Sequence, residues 1–174
     1  MNGLIHVYCG DGKGKTTAAI GLGVRACGSG RRVFLVQFLK GNASGERNVL
    51  AELQNFFVLP VPEKMKFTFQ MTSQEREETA ALCNELFARA VSAANAEECD
   101  VLILDEVFGA IACGLLEQDA LLRFLKDKPE SLEVALTGRD PKPEVLELAD
   151  YVSEIQKKKH PYDRGIAARK GIEY

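Results

Sequence analysis

The stretch Cys9-Gly10-Asp11-Gly12-Lys13-Gly14-Lys15-Thr16-Thr17 decides how the rest of this chain is read. An apolar run, Leu4-Ile5-His6-Val7-Tyr8, leads into it, and a small-residue amphipathic stretch, Ala18-Ala19-Ile20-Gly21-Leu22, leads out. Strand, glycine-rich loop and helix form the context in which a phosphate loop is credible. Glycines let the backbone curl so that several N–H groups point into one concavity. A helix starting near Gly14 adds unpaired N–H groups and the positive end of its dipole. Lys15 supplies a mobile charge for phosphate oxygens, and the Thr16 hydroxyl can ligate Mg²⁺. The pattern G-x-x-x-x-G-K-[ST] is met at Gly14, Lys15 and Thr16, but Cys9 stands where its first glycine belongs. The extra Gly10, Gly12 and Lys13 suggest a variant loop with its own phosphate geometry. The bland alternative, a glycine-rich turn with a basic residue, is disfavoured because the flanking strand and helix agree.

A chain of 174 residues suits one domain, spanning 1–174, with a sizeable core. Hydrophobic residues make up 46% and charged residues 27%, the balance of a soluble globular protein. The net charge of −3 argues against a nucleic-acid binder driven by bulk charge. No apolar run approaches the roughly 18 residues of a spanning helix, and no signal segment opens the chain, so a cytoplasmic location without membrane attachment is expected. The cysteines Cys9, Cys27, Cys83, Cys99 and Cys113 are odd in number and contain no C-x-x-C. They read as small buried hydrophobes rather than a disulfide framework or zinc site.

Outward from the loop, the first helix is expected over about Lys15–Ala26, with Arg25 in its last turn, where pairing with the helix C-terminus accounts for it. The apolar run Arg32–Phe38 suits a parallel strand covered on both faces. Beyond it lie Lys40 and Arg47; ligands sit past the carboxyl ends of such strands, which makes both site candidates as well as possible solvated charges. A helix over about Arg47–Leu53 and a short strand at Phe56–Val58 follow. The stretch Pro60–Gln70 carries Phe67 and Phe69 without strand or helix punctuation. The rings either plug the core or cover a flat ligand. A capping box, Thr72 to Glu75, opens a long helix ending near Glu97, with Leu82, Leu86, Phe87, Ala90, Val91 and Ala94 as its buried stripe.

Asp100-Val101-Leu102-Ile103-Leu104-Asp105-Glu106 reads as a central strand with two carboxylates at its end, on the side where the phosphate loop also lies. One can hold Mg²⁺ and the other can orient a reactant. Short helices at Phe108–Cys113 and Leu116–Lys126 precede a strand at Leu132–Leu136. Arg139 falls just past that strand, where a phosphate or substrate contact is expected. A helix at Pro143–Ala149, a strand at Tyr151–Ile155 and an ordered basic extension complete the chain. The alternation predicts an α/β fold of the P-loop NTPase type (RecA-like), a mostly parallel sheet with helices on both faces. From the residues alone, a hydrolase using Glu106 to orient water, a kinase, a transferase acting at another atom of the nucleotide and a non-catalytic nucleotide-binding regulator all stay open.

Several stretches, in order, closely resemble the P-loop-type ATP:corrinoid adenosyltransferases. They are Gly10 through Ala19, Val36-Gln37-Phe38-Leu39-Lys40-Gly41, Gly45-Glu46-Arg47-Asn48, Leu104-Asp105-Glu106, Thr137-Gly138-Arg139, Leu146 through Asp150, and Lys159-His160 through Gly171-Ile172-Glu173-Tyr174. The resemblance implies transfer of the 5′-deoxyadenosyl group of ATP to the Co(I) of cobalamin, cobinamide or a cobyrinate, with triphosphate released. The other reading is a P-loop ATPase or kinase acting on another substrate. The resemblance also implies that ATP lies reversed, with its γ-phosphate where other P-loop enzymes hold inner phosphates. It implies ATP contacts from Gly10, Asp11, Gly12, Lys13, Gly14, Lys15, Thr16, Thr17, Arg25 and Arg139, with Lys15 the principal charge. Thr16 and Glu106 would hold Mg²⁺ (or Mn²⁺), supported by Asp105. Phe67 and Phe69 would bind the corrinoid's lower face and keep the lower ligand off cobalt, joining Lys15 and Glu106 as catalytic residues. A homodimer is implied, and a reductase or flavodoxin-type electron donor fits the chemistry.

Three departures stand out. Lys66-Phe67-Thr68-Phe69 replaces the common Gly-Phe-Thr-Trp, so corrinoid fit is expected to differ. Asp11 replaces the usual Asn. Many members carry a long N-terminal extension, whereas this chain begins almost at its first strand, so closure of the site is expected to be weaker or to use other parts.

Overall fold

Alternation along the apolar strands sorts their side chains onto two faces, and the computed structural model shows what covers each. It describes residues 2–41, 44–63, 65–66 and 68–173. Strands β1 (Ile5–Cys9), β2 (Val33–Gln37), β3 (Phe56–Val58), β4 (Val101–Asp105), β5 (Glu133–Thr137) and β6 (Tyr151–Glu154) form one sheet in the order β3-β2-β4-β5-β1-β6. Every neighbouring pair is parallel. This is the P-loop NTPase-type α/β architecture expected from the sequence.

Helix α1 (Lys15–Gly28) packs on one face over Val33, Leu35, Val101, Ile103 and Ala135. Gly23 makes that approach possible: a Cβ there would stand 2.8 Å from Ile103 Cδ1 and 2.9 Å from a Phe56 ring carbon. The other face carries Val7, Val36, Leu102, Leu104, Val134 and Leu136. It lies under α3 (Ser73–Asn95), α4 (Val107–Ala112), α5 (Gln118–Asp127) and α6 (Pro143–Leu148). The capping box of α3 forms as expected, with Thr72 and Glu75 each accepting the other's backbone N–H. Cys9 closes β1 and is buried in the same core, which accounts for an apolar residue at the loop's first corner.

Some boundaries shift for local reasons. Leu4 falls outside β1 because its N–H donates to the Glu133 carboxylate at 3.0 Å. Helix α2 spans Glu46–Leu50, short of Leu53, because the next turn tightens into Glu52 N–H to Val49 and Leu53 N–H to Leu50 bonds. The Pro60–Gln70 stretch gains a 3₁₀ turn at Thr68–Gln70. Among the described residues, no helix is long and apolar enough to cross a membrane.

Candidate active site

Parallel strands deliver their carboxyl ends to one rim of the sheet, and the loops after β1, β2, β4 and β5 meet there. The loop after β1 turns on Gly10 and Gly14, at φ 102° and 123°, backbone that favours glycine. Its outer side is fixed to the chain beyond β6. Gly12 N–H donates to Ile155 O at 2.7 Å, and Ile155 N–H donates to Cys9 O at 2.8 Å. A Cβ on Gly12 would stand 2.6 Å from Ile155 O. Asp11 belongs to the same junction. Its carboxylate accepts the Lys157 N–H at 2.8 Å, and that bond is the main reason its pKa falls. The departure from Asn thus turns its charge toward the C-terminal segment. Arg139, exposed after β5, also lowers the Asp11 pKa.

Helix α1 begins at Lys15, its first turn facing the rim. Lys15 Nζ donates to Gly12 O at 2.8 Å. Thr16 Oγ1 donates to Asp105 Oδ1 at 2.8 Å, and Thr137 Oγ1 donates to the same oxygen at 2.7 Å. The second oxygen of Asp105 takes Gln37 Nε2 at 3.2 Å and Lys40 Nζ at 3.0 Å. Asp105, Thr137 and Gln37 are fully buried, so these bonds form in low dielectric, where each is strong and its absence would be costly.

Glu106 follows in left-handed backbone at φ 60°, held by its N–H donating to Thr137 Oγ1 at 2.8 Å. That turn aims its carboxylate away from the strand direction and over α4. Gly109 leaves the room, since a Cβ there would lie 2.8 Å from Glu106 Oε1. Burial, reinforced by the Asp105 charge, raises the Glu106 pKa, while Lys15, Lys40 and Arg139 oppose the rise. Those three cations and two carboxylates make one electrostatic cluster.

Beneath it lies a second layer. Arg47 is 6% exposed and donates to Gln37 Oε1 at 2.9 Å and Leu59 O at 2.7 Å. Glu46 accepts from Ser44 Oγ at 2.7 Å and Gln37 Nε2 at 3.2 Å. Of the two basic candidates after β2, Lys40 reaches the cluster and Arg47 braces Gln37 below it. Sequence reading did not single out Thr137, Gln37 or Glu46. Their signal was a polar residue ending an apolar strand, or just beyond one, at the rim where acids collect.

Arg25 lies elsewhere. It sits in the last turn of α1, about 15 Å along the axis from Lys15 at 1.5 Å per residue. Burial raises the pKa of Tyr8, and Arg25 partly opposes that rise. Phe69 is 81% exposed on its 3₁₀ turn, so it is not a core plug. Phe67 lies outside the described residues. The segment around Phe69 docks on α3 through a Lys66–Glu75 ion pair. The described residues contain no group of three or more His, Cys, Asp and Glu side chains able to hold a metal alone.

Comparison with known proteins identifies the family. The family model for the ATP:corrinoid adenosyltransferases BtuR/CobO/CobP matches residues 1–174. The chain belongs to that family. It is 38% identical to the corrinoid adenosyltransferase of Escherichia coli K12, over 99% of this chain and 86% of that one. Identity to the corrinoid adenosyltransferase CobA of Salmonella typhimurium is 36%, over 99% of this chain and 86% of the other. For the Pseudomonas aeruginosa corrinoid adenosyltransferase it is 32%, over 99% and 84%. The adenosyltransferase resemblance read from the motifs is borne out, and the family's members are enzymes of ATP-dependent adenosyl transfer.

Proposed function

We propose that this adenosyltransferase carries out its family's reaction at the rim built by the phosphate loop, Lys40, Asp105, Glu106 and Arg139. It would transfer the 5′-deoxyadenosyl group of ATP to the Co(I) of a corrinoid and release triphosphate. The observation that carries the reading is the convergence of Lys15, Lys40 and Arg139 on Glu106, beside the helix N-terminus that opens with Lys15 and Thr16. Such a cluster suits a polyanion that must be held and must then depart.

The chemistry balances without a protein nucleophile. The Co–C5′ bond forms with the electron pair of Co(I), and the C5′–O bond breaks with its pair leaving on triphosphate. The protein's task is to align C5′ and to neutralise the charge that develops on the leaving oxygen. The α1 N-terminus and Lys15 serve the triphosphate. Gly12 N–H already has a protein acceptor, so the anion-facing donors are the later N–H groups of the loop. Arg139 supplies a further charge. Support for Arg25 as a nucleotide contact comes from the resemblance alone.

The donors present fit Mg²⁺. The Thr16 hydroxyl donates its hydrogen bond to Asp105, which leaves an oxygen lone pair for a cation, and Glu106 offers a second hard oxygen. A cation with so few protein ligands takes the rest from phosphate and water, the habit of Mg²⁺. Bound there it would neutralise triphosphate charge. Asp105, saturated by its own hydrogen bonds, orients Thr16. Phe69, and Phe67 by the same resemblance, would stack on the corrinoid's lower face. A homodimer and a one-electron donor that makes Co(I) from Co(II) complete the proposal.

The test is an anaerobic assay of the purified protein with ATP, Mg²⁺ and chemically reduced cobalamin, followed in the visible spectrum with analysis of the phosphate product. A light-sensitive alkylcobalamin and stoichiometric triphosphate are expected. ADP with cobalamin unchanged would instead assign an ATPase or kinase.

A further inference from the structure

Leu39 has φ 57°, a left-handed conformation that a leucine adopts only when its surroundings impose it. The turn it makes brings Lys40 back over the rim. Lys40 Nζ then stands 3.0 Å from Asp105 Oδ2, 3.4 Å from Thr16 Oγ1 and 3.5 Å from Glu46 Oε1. The same kind of strain recurs at Glu106, the corresponding exit from the neighbouring strand β4. Two adjacent strands thus end in strained backbone, and each presents a charged side chain to one place.

Asp105 does not require Lys40 for hydrogen bonding, because Thr16, Thr137 and Gln37 already donate to it. The Lys40 ammonium has one short contact, to Asp105, and two long ones, to Thr16 and Glu46, and its side chain is 27% exposed, so it can turn a donor toward a stronger acceptor. Its 3.4 Å approach to Thr16 Oγ1 sets it beside the first turn of α1, within reach of an oxygen held by that helix terminus. Lys15 approaches the same terminus from within the helix; Lys40 comes from β2. A triphosphate carries more negative charge than one lysine and a helix dipole offset.

We propose that Lys40 is a second triphosphate-binding lysine and a catalytic residue. It donates to phosphate oxygens opposite Lys15 and takes up part of the charge that collects on the leaving triphosphate. It keeps its proton throughout; the electron pair of the C5′–O bond goes to the departing oxygen. This rests on the adenosyltransferase reading above.

Calorimetric titration of the intact protein with inorganic triphosphate in the presence of Mg²⁺ tests it. Lys40→Met is expected to weaken binding at least about tenfold, the effect of losing one charged hydrogen bond, and Lys40→Arg to hold it within about threefold. A Lys40 that serves only as counter-ion to Asp105 would act differently. Lys40→Met would then lower the melting temperature while the folded protein bound triphosphate within twofold of wild type, and that result overturns the proposal. If Lys40→Met does not fold, acylation footprinting of the wild type decides. Triphosphate should protect Lys40 at least fivefold, and unchanged labelling overturns the proposal. Failure of the adenosyltransferase reading shows separately, as ADP in place of triphosphate among the wild-type products.

Discussion

Thr16 and Asp105 are joined by a 2.8 Å hydrogen bond that fastens the first turn of α1 to the end of β4. The bond sets the direction of the Thr16 hydroxyl and so the direction of its remaining lone pairs. Asp105→Ala would take the acceptor from Thr16 and the buried Thr137, remove the nearest carboxylate from Lys40, and leave Gln37 Nε2 with Glu46 alone. Breaking such a network costs about 3–5 kcal/mol. Chemical denaturation should show that loss, and adenosyl transfer should fall by orders of magnitude. Thr16→Ala should keep most of the stability and lose Mg²⁺-dependent ATP binding, measured by titration with and without the cation.

Glu106 sits in the opposite situation: burial first, and then the Asp105 charge, raise its pKa above the ordinary 4.5. For an acid raised on folding, the folded protein holds the proton more tightly than the unfolded chain. Ionised Glu106 therefore subtracts stability above its folded pKa, and the penalty is relieved as pH falls through that value toward 4.5. Activity runs the other way, since a cation needs the carboxylate. The acid limb of the rate profile, followed at limiting Mg²⁺, should vanish in Glu106→Gln. That variant should melt higher at neutral pH while kcat drops about 10²–10³-fold, the scale of a lost electrostatic contact to the transition state.

What the sequence made legible follows from what is local. The loop at Gly10–Thr17, the apolar strand before Asp105 and the capping box at Thr72 announce themselves by spacing, because each depends on neighbours along the chain. The Thr137–Asp105–Thr16 bridge joins three strand or helix ends far apart in sequence, so a polar residue ending the strand marks Thr137 but nothing near it names its partners. Leu39 and Glu106 gave no sign of strain, since left-handed backbone at a leucine or glutamate is imposed by packing and not by propensity. The partner of Asp11 was not legible: its acid faces the Lys157 N–H, which the β1–β6 pairing brings near.

Two glycines of α1 should respond oppositely to alanine. At Gly21 an added Cβ meets nothing within 4 Å, and Gly21→Ala should stabilise by about 0.5–1 kcal/mol through lower unfolded-state entropy. At Gly23 the added carbon would press on Ile103 and Phe56 at 2.8 and 2.9 Å, and Gly23→Ala should destabilise by about 1–3 kcal/mol. Urea melts of the two single variants check this; equal effects would mean that α1 does not sit on the sheet as described.

Phe69 offers the cleanest separation of folding from function. At 81% exposure it contributes little to the core, so Phe69→Ala should leave the melting temperature within about a degree of wild type, surface changes being worth under about 0.5 kcal/mol. Covering that ring with a corrinoid would bury most of a phenylalanine side chain, about 1.5–3 kcal/mol, which corresponds to roughly 10–100-fold in corrinoid affinity. Phe69→Ala should therefore raise KM for the corrinoid by that factor and leave KM for ATP alone. Phe69→Trp, with a larger ring face, should lower it. Corrinoid KM values that ignore both changes would remove Phe69 from the corrinoid site, whereas a parallel rise in KM for ATP would place the ring against the nucleotide instead.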